Sequence, residues 1–250
     1  MSLPRFFLPA PAEPAEGALV RLDPQQARHL RALRLGPGAA VEVVLPSGPW
    51  LGDLAEAGRE GAVVRLVRAL AEDREAPHPV TAWIPVTAQI SLVDDMLPPL
   101  VELGASSIRL VSWSRSEDEP RRTLARMERW TRIVQGACEQ SHRSRVPELA
   151  PPVPFDALLR VATPQRWVAY EVSSGRPNPR LAPGPVDFTS GPEGGITDGE
   201  YEALVGAGWT PVSLGGSVLR AVTCPSALLG AIRFLMEGQG TNGDSGHPIP

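Results

Sequence analysis

In Val186-Asp187-Phe188-Thr189-Ser190-Gly191-Pro192-Glu193-Gly194-Gly195-Ile196-Thr197-Asp198-Gly199-Glu200, a short apolar run passes straight into a glycine-rich loop and then into a helix start. Four residues bounded by turn formers predict a buried strand. Thr197 followed three residues later by Glu200 is the capping-box pattern, in which each side chain satisfies a backbone N–H at the helix entrance. Glycines between strand and helix permit positive φ and close backbone approach, so main-chain N–H and C=O groups there can grip an adenosine-like ligand at the carboxyl end of the strand. An ordinary tight strand-to-helix turn fits the same spacing. A second stretch repeats the logic: residues 210–213 open into Leu214-Gly215-Gly216-Ser217-Val218-Leu219-Arg220, followed by a helix containing Val222, Ala227, Leu228 and Ile232. Two such loops at adjacent strand ends can line one pocket.

Outward from these loops the chain alternates apolar runs with helical stretches. Strands are expected at 80–86, 108–111, 167–170, 186–189 and 210–214, with helices at 92–103 closed by Gly104, at 123–140, from Thr197, and last through Glu237. Alternation of this kind predicts an α/β fold, a mostly parallel sheet with helices on both faces. Residues 1–70 instead read as a small β-barrel, with short β segments at 6–8, 41–45, 50–54 and 63–70 around one helix. That helix starts at Asp23 as N-cap with Pro24 and Gln26 behind it, and is expected to end near Leu35-Gly36. The charged, proline-containing stretch 71–79 reads as a linker, and 80–237 as the second domain. Residues 238–250 have little to bury and are expected to be disordered. Within that tail, Gly238-Gln239-Gly240-Thr241-Asn242-Gly243 fits a dinucleotide fingerprint without the strand that should precede it, and Gly243-Asp244-Ser245-Gly246 resembles a protease nucleophile loop without its context.

All 24 basic Lys-or-Arg residues in the 250 are arginine, and lysine is absent. Schiff-base and pyridoxal enzymes, SxxK hydrolases and a lysine-bearing P-loop are thereby excluded. A codon bias toward GC accounts for the same fact, along with the 24 glycines and 28 prolines. The net charge is −4, yet residues 109–145 hold nine arginines against five acidic residues. A local excess of this size matters more to a polyanion than the chain total. Cys138 and Cys224 are far apart and read as buried small hydrophobes in a reducing compartment, and the four histidines show no ligand spacing, so no metal is expected. No apolar run reaches membrane-spanning length, and residues 1–14 lack a secretory pattern; the expectation is a cytoplasmic protein.

The arginine-rich stretch begins at Trp113-Ser114-Arg115-Ser116. Arg122, Arg126 and Arg129 then fall at i, i+4 and i+7, one face of a helix whose apolar positions are Leu124, Met127, Ile133 and Val134. Such a stripe is either a solvated face or an RNA contact. The helix ends in Glu139-Gln140-Ser141-His142-Arg143-Ser144-Arg145-Val146-Pro147, where cations suit its C-terminal dipole as well as an anion.

Arg5-Phe6-Phe7, His29-Leu30 through Leu33-Arg34 with Gly36, Glu102-Leu103-Gly104, Arg115-Ser116, Arg129-Trp130 with Ile133, Glu139-Gln140-Ser141 with Arg143 and Pro147, Gly191-Pro192-Glu193-Gly194-Gly195 with Glu200, and Leu214-Gly215 with Leu219-Arg220 occur in an order and spacing that resembles one family. It is the bacterial ribosomal RNA small subunit methyltransferase E family, SPOUT-class enzymes that methylate N3 of a uridine in 16S rRNA. The resemblance spans nearly the whole chain. It implies a PUA-like RNA-binding barrel, a C-terminal trefoil-knotted domain holding S-adenosylmethionine, a homodimer, and 16S rRNA or the small ribosomal subunit as partner. Carried onto these positions, the cofactor contacts are Gly191, Glu193, Gly194, Gly195, Leu214, Gly215, Leu219, Arg220 and Thr223. The RNA contacts are Arg5, His29, Arg34, Arg115, Arg122, Arg126, Arg129, Gln140 and Arg143.

Uridine N3 is a poor nucleophile until it loses its proton, and the charge then spreads over the flanking carbonyls. A guanidinium suits that charge and cannot be the base. Arg115, Arg143 and Arg220 are the candidate catalytic cations; Glu171 and Glu193 are each a candidate base or cofactor contact. Two positions depart from the family. Its lysine-rich helix before Glu-Leu-Gly is here acidic, with Asp94 and Asp95, and its Glu-Thr-Ala after Leu-Arg is here Val222-Thr223-Cys224. A non-catalytic RNA-binding or assembly protein, or a SPOUT enzyme for another RNA, are the rival readings.

Overall fold

The structure is a computed structural model that describes residues 3–8, 14–58, 61–71, 75–116, 120–170 and 180–240. The chain forms two compact units, Met1–Glu75 with Gln135–Val146, and Ala76–Val134 with Pro147–Pro250.

The first unit is a five-stranded sheet in the order β1-β3-β4-β5-β2, built from β1 (Arg5–Phe7), β2 (Leu19–Leu22), β3 (Ala40–Leu45), β4 (Gly48–Ala57) and β5 (Ala62–Ala69). β1 pairs with β3 in parallel and the other pairs are antiparallel. Leu45 opposite Gly48 leaves Pro46-Ser47 as a two-residue hairpin turn, with Gly48 at φ +123°. Alternate residues such as Val41, Val43, Leu54, Val64 and Leu66 bury into one core with Phe6, Leu22 and Leu30. Helix α1 (Pro24–Ala32) starts as the sequence predicts: Asp23 Oδ1 accepts from Gln26 N at 2.7 Å, and Gln26 Oε1 accepts from Asp23 N at 3.1 Å. It ends earlier than expected, capped at Leu33, because Arg34 turns into the left-handed region at φ +57°.

The second unit is a six-stranded, all-parallel sheet in the order β11-β9-β10-β6-β7-β8. Its strands are β6 (Val80–Pro85), β7 (Ser107–Ser112), β8 (Glu148–Pro154), β9 (Gln165–Ala169), β10 (Val186–Thr189) and β11 (Thr210–Val212). β8 was not expected, since Pro151, Pro152 and Pro154 interrupt it. It lies at the sheet edge, where prolines are tolerated, and its pairing with β7 slips between Arg109 and Val111, opposite Pro151 and Pro152. The helices are α2 (Ser91–Glu102), α3 (Pro120–Gln140), α4 (Asp198–Gly206) and α5 (Cys224–Gly240). Gly104 at φ +83° follows α2 in the left-handed conformation that terminates helices. β10 is buried along its whole length; even Asp187 is satisfied, accepting from Trp83 Nε1 at 2.5 Å. α5 packs on β6 and β10 and beside α2. Arg233 on α5 donates to the carbonyls of His78, Leu103 and Gly104.

α5 reaches Gly240, three residues past its expected end, so the start of the dinucleotide-like match is helix. The rest of that match, the protease-like match and residues 241–250 lie outside the described residues. The segment Gln135–Val146, expected inside the second domain, groups with the first unit. Buried Arg5 donates to Glu42 Oε2 at 2.7 Å and to the carbonyls of His142 and Arg143 at 2.5 and 2.6 Å. Glu75, expected in a linker, accepts from Arg143 Nε at 3.2 Å and from the backbone N–H groups of Ser144 and Arg145. A charged group this far from water needs such partners, and here both ions obtain them from segments distant in sequence.

Candidate active site

β9, β10 and β11 lie side by side in parallel, so their carboxyl ends emerge together. The loops that leave them enclose a cavity of about 600 Å³, within the size range of small-molecule and cofactor sites. Tyr170 lines it after β9, Ser190 to Ile196 after β10, and Val212 to Leu214 with Gly215 after β11. Leu214, Val218 and Leu219 give it an apolar wall, and Glu193 and two arginines put charge at its rim.

The glycines are there for distinct reasons. A Cβ on Gly191 would meet Ile196 Cγ1 at 2.6 Å, so the loop could not fold back on itself. Gly195 and Gly215 take φ +75° and +125°, a region that penalises any side chain. A Cβ on Gly194 would lie 3.0 Å from Arg115 Cβ, so its bareness makes room for an arginine of the neighbouring loop. Arg115 closes that approach by donating from Nη1 to the Gly194 carbonyl at 2.8 Å.

Glu200 forms the expected capping box with Thr197, Oε2 accepting from Thr197 N at 2.9 Å and from Thr197 Oγ1 at 2.8 Å. Its other oxygen, Oε1, accepts from Ser114 N at 2.9 Å. Burial by itself would raise the pKa of this carboxyl, but the hydrogen bonds from Ser114 and Thr197 outweigh it and hold the group below its ordinary value. Ser190 Oγ is buried in the cavity wall without an oxygen or nitrogen partner among the described residues and interacts with the Cys224 thiol. Burial pushes Cys224 up to about 11, which makes it an inert wall residue at neutral pH. Cys138, in the first unit, is pushed by burial to about 12.

Of the nine expected cofactor contacts, Gly191, Glu193, Gly194, Gly195, Leu214, Gly215, Leu219 and Arg220 line the cavity. Thr223 does not; it is exposed, and its backbone continues the turn into α5 by donating to the Arg220 carbonyl. Of the expected catalytic residues, Arg115 and Arg220 line the cavity, and Glu171 lies outside the described residues. Arg143 belongs to the first unit, buried, with its guanidinium on Glu75.

The expected RNA contacts separate by their partners. Arg5 and Arg143 are buried in ion pairs. Arg129 donates to Asp94 Oδ2 at 2.9 Å while Trp130 Nε1 holds Asp94 Oδ1 at 2.8 Å. Asp94 of the acidic α2 thus takes one arginine of the stripe, Arg129. Arg122 is exposed and Arg126 half-buried on the same helix, and His29, Arg34 and Gln140 are exposed, with His29 edge-on to Phe6. Sequence reasoning missed Tyr170, whose ring stacks on Tyr201 at 4.1 Å, and the Ser114 link of Glu200. The capping spacing pointed to Glu200, but its second partner is 86 residues away and left no local signal. Among the described residues no group of His, Cys, Asp and Glu gathers at metal-binding distance, and no helix is long and apolar enough to cross a membrane.

A model of the RNA methyltransferase domain matches residues 74–233. The ribosomal RNA small subunit methyltransferase E of Synechocystis is 33% identical over 88% of this chain and 74% of its own length. That of Mycobacterium bovis is 29% identical over 89% and 88%. A crystal structure of the corresponding Neisseria gonorrhoeae enzyme bound to S-adenosyl methionine superposes with a TM-score of 0.85, at 29% identity, covering 94% of this chain and 98% of that one. The glycine-rich cavity at the ends of three parallel strands and these likenesses place the chain together: it belongs to the ribosomal RNA small subunit methyltransferase E family.

Proposed function

We propose that this chain is an S-adenosylmethionine-dependent methyltransferase acting on N3 of a uridine in 16S rRNA, working in the cytoplasm on the small ribosomal subunit. The observation that carries the proposal is the cavity of about 600 Å³ walled by backbone-rich loops, with Arg115 pinned at its rim by the Gly194 carbonyl. The residues present suit the cofactor. Bare backbone at Gly191, Gly194, Gly195 and Gly215 offers N–H and C=O groups, Leu214 and Leu219 offer an apolar face to an adenine, and the buried Ser190 hydroxyl is a spare polar group. Bound there, the cofactor supplies an electrophilic methyl group.

The chain's own residues do the rest. Arg115, held on the Gly194 carbonyl, and Arg220 put permanent positive charge at the cavity for the negative charge that the uracil carbonyls gather as N3 loses its proton, and neither guanidinium can take that proton. Glu193, which lines the cavity, would be the carboxylate to take the proton or to face the cofactor's sulfonium; Glu171 is the second candidate base. Arg122 and Arg126, without ion-pair partners among the described residues, together with His29, Arg34 and Gln140, are the RNA contacts this reading retains. Arg5, Arg129 and Arg143 serve the fold. The placement of β10 between β9 and β6 supports a trefoil-knotted topology, and the five-stranded first unit supports a PUA-like barrel. Phe234, 78% exposed on α5, supports a homodimer.

The test is incubation of the purified chain with labelled S-adenosylmethionine and small subunits shown to lack the modification, followed by mass spectrometry of the nucleosides. N3-methyluridine is expected. Absence of transfer overturns the proposal in favour of a non-catalytic binder, with Val222 in the cavity wall as the first position to revert, and a methyl group on another base redirects it to a different RNA target.

A further inference from the structure

We infer that Glu200 is a positioning residue for methyl transfer, a clamp that sets the 113–116 loop, and with it Arg115, against the glycine-rich loop of the cofactor cavity; the inference rests on the function proposed above. The sequence assigns Glu200 only a helix cap, and a cap needs one carboxylate oxygen. The second oxygen is spent on Ser114 N, in the loop that leaves β7, whereas Thr197 and Glu200 belong to the segment that leaves β10. One buried carboxylate, 8% exposed, therefore joins the loops leaving two different strands.

The residue after Ser114 is the one that such a link controls. Arg115 is exposed, and a long exposed side chain samples many rotamers unless its ends are fixed. Here it is fixed twice. Its backbone is tied at the preceding residue to Glu200, and its guanidinium is tied to Gly194 O at 2.8 Å. The next residue is tied as well: Ser116 Oγ donates to the Val86 carbonyl at 2.8 Å and accepts from Trp113 N at 3.1 Å. Gly194, lacking a side chain, lets the Arg115 stem lie at van der Waals distance. The clamp, the bare glycine and the carbonyl acceptor together hold one cation at the mouth of the cavity, the preorganisation that makes a fixed charge effective on a developing anion. Hydrogen bonds from Ser114 and Thr197 keep the Glu200 carboxyl ionised through neutral pH, so the clamp stays closed over the working range.

The cap and the clamp are separable. Thr197→Ala removes the cap hydroxyl and leaves Glu200 on Ser114; Glu200→Ala removes both; Glu200→Gln keeps an amide oxygen for Ser114 and sets an amide nitrogen against Thr197. Hydrogen exchange at the Ser114 amide, read on the full chain without cofactor or RNA, reports the clamp directly. Protection is expected to fall about tenfold or more in Glu200→Ala, as for loss of a charge-assisted bond, to fall less in Glu200→Gln, where a neutral amide oxygen still accepts, and to hold within about twofold in Thr197→Ala. In methyl-transfer kinetics kcat should fall about tenfold in Glu200→Ala, with Thr197→Ala keeping kcat and losing only melting temperature. Equal loss of Ser114 protection and of kcat in Thr197→Ala and Glu200→Ala would overturn the inference, since the residue would then be a cap and nothing more. Lost Ser114 protection with full turnover in Glu200→Ala would overturn it too. A wild-type chain that transfers no methyl group while its Ser114 amide responds to Glu200→Ala refutes the proposed reaction and leaves the clamp standing.

Discussion

Replacing Gly194 by alanine puts a methyl group where Arg115 now lies. The added Cβ would sit 3.0 Å from Arg115 Cβ, 3.4 Å from its Cδ and 3.5 Å from its carbonyl oxygen, against an optimal carbon–carbon separation of about 3.5–4.0 Å. The neighbour that must yield is a Cβ, anchored to backbone, and that backbone is held through Ser114 by Glu200. It cannot swing aside as a side-chain tip would. Overpacking of this kind costs about 1–3 kcal/mol. Charged against the closed arrangement of the loop, that corresponds to about a 5- to 150-fold weaker cofactor affinity, and valine should exceed it. Calorimetric titration with S-adenosylmethionine measures it. Two neighbours serve as references. Gly199, in the first turn of α4, has nothing within 4 Å of its would-be Cβ. Gly199→Ala should leave affinity unchanged and add up to about 1 kcal/mol of stability. Gly195→Ala should lose affinity through backbone strain at φ +75°, about 1–2 kcal/mol, whatever the space around it. Unchanged affinity and turnover in Gly194→Ala would refute the argument that this glycine exists to admit Arg115.

Arg143→Ala strands a half-buried Glu75 carboxylate, its side chain 14% exposed, and should cost about 3 kcal/mol in urea unfolding; lost turnover at full stability would instead return Arg143 to the catalytic set. Glu139 titrates in the opposite sense to Glu200. Burial raises its pKa above 4.5, while the Gln135 hydrogen bond and the His29 charge pull it back. The folded chain thus binds that proton more tightly than the unfolded chain, so stability is fully present below pH 4.5 and falls as pH rises through the raised value. Glu139→Gln should match wild type at pH 4 and be the more stable at pH 8, and a variant weaker than wild type at pH 8 would contradict the sign.

Local chemistry was legible in the sequence. The Asp23 and Thr197 capping boxes, the strand–glycine loop–helix order at 186–200 and the alternation of β and α from residue 80 each depend on residues within a few positions of one another, and each is present in the structure. Eight of nine expected cofactor contacts line one cavity for the same reason, since two loops at adjacent strand ends bring their glycines along. β8 escaped because prolines signal against a strand unless its place at the sheet edge is known.

The arginines mark the boundary between the two kinds of information. By itself, the sequence determined that every cation of the Lys-or-Arg kind in this protein would be a permanent, multidentate guanidinium, that many of them would cluster between 109 and 145, and that glycine-rich loops would follow two strands. Tertiary structure alone decided what each guanidinium meets. Arg5 is taken by Glu42, 37 residues away, Arg129 by Asp94, 35 away, and Arg143 by Glu75, 68 away, whereas Arg115 is turned onto a carbonyl 79 residues on, at the rim of the cavity. Charge and hydrogen-bonding capacity belong to the residue. Burial and the identity of the partner belong to the packing of distant segments, and these two separate a structural arginine from one free to act on a substrate.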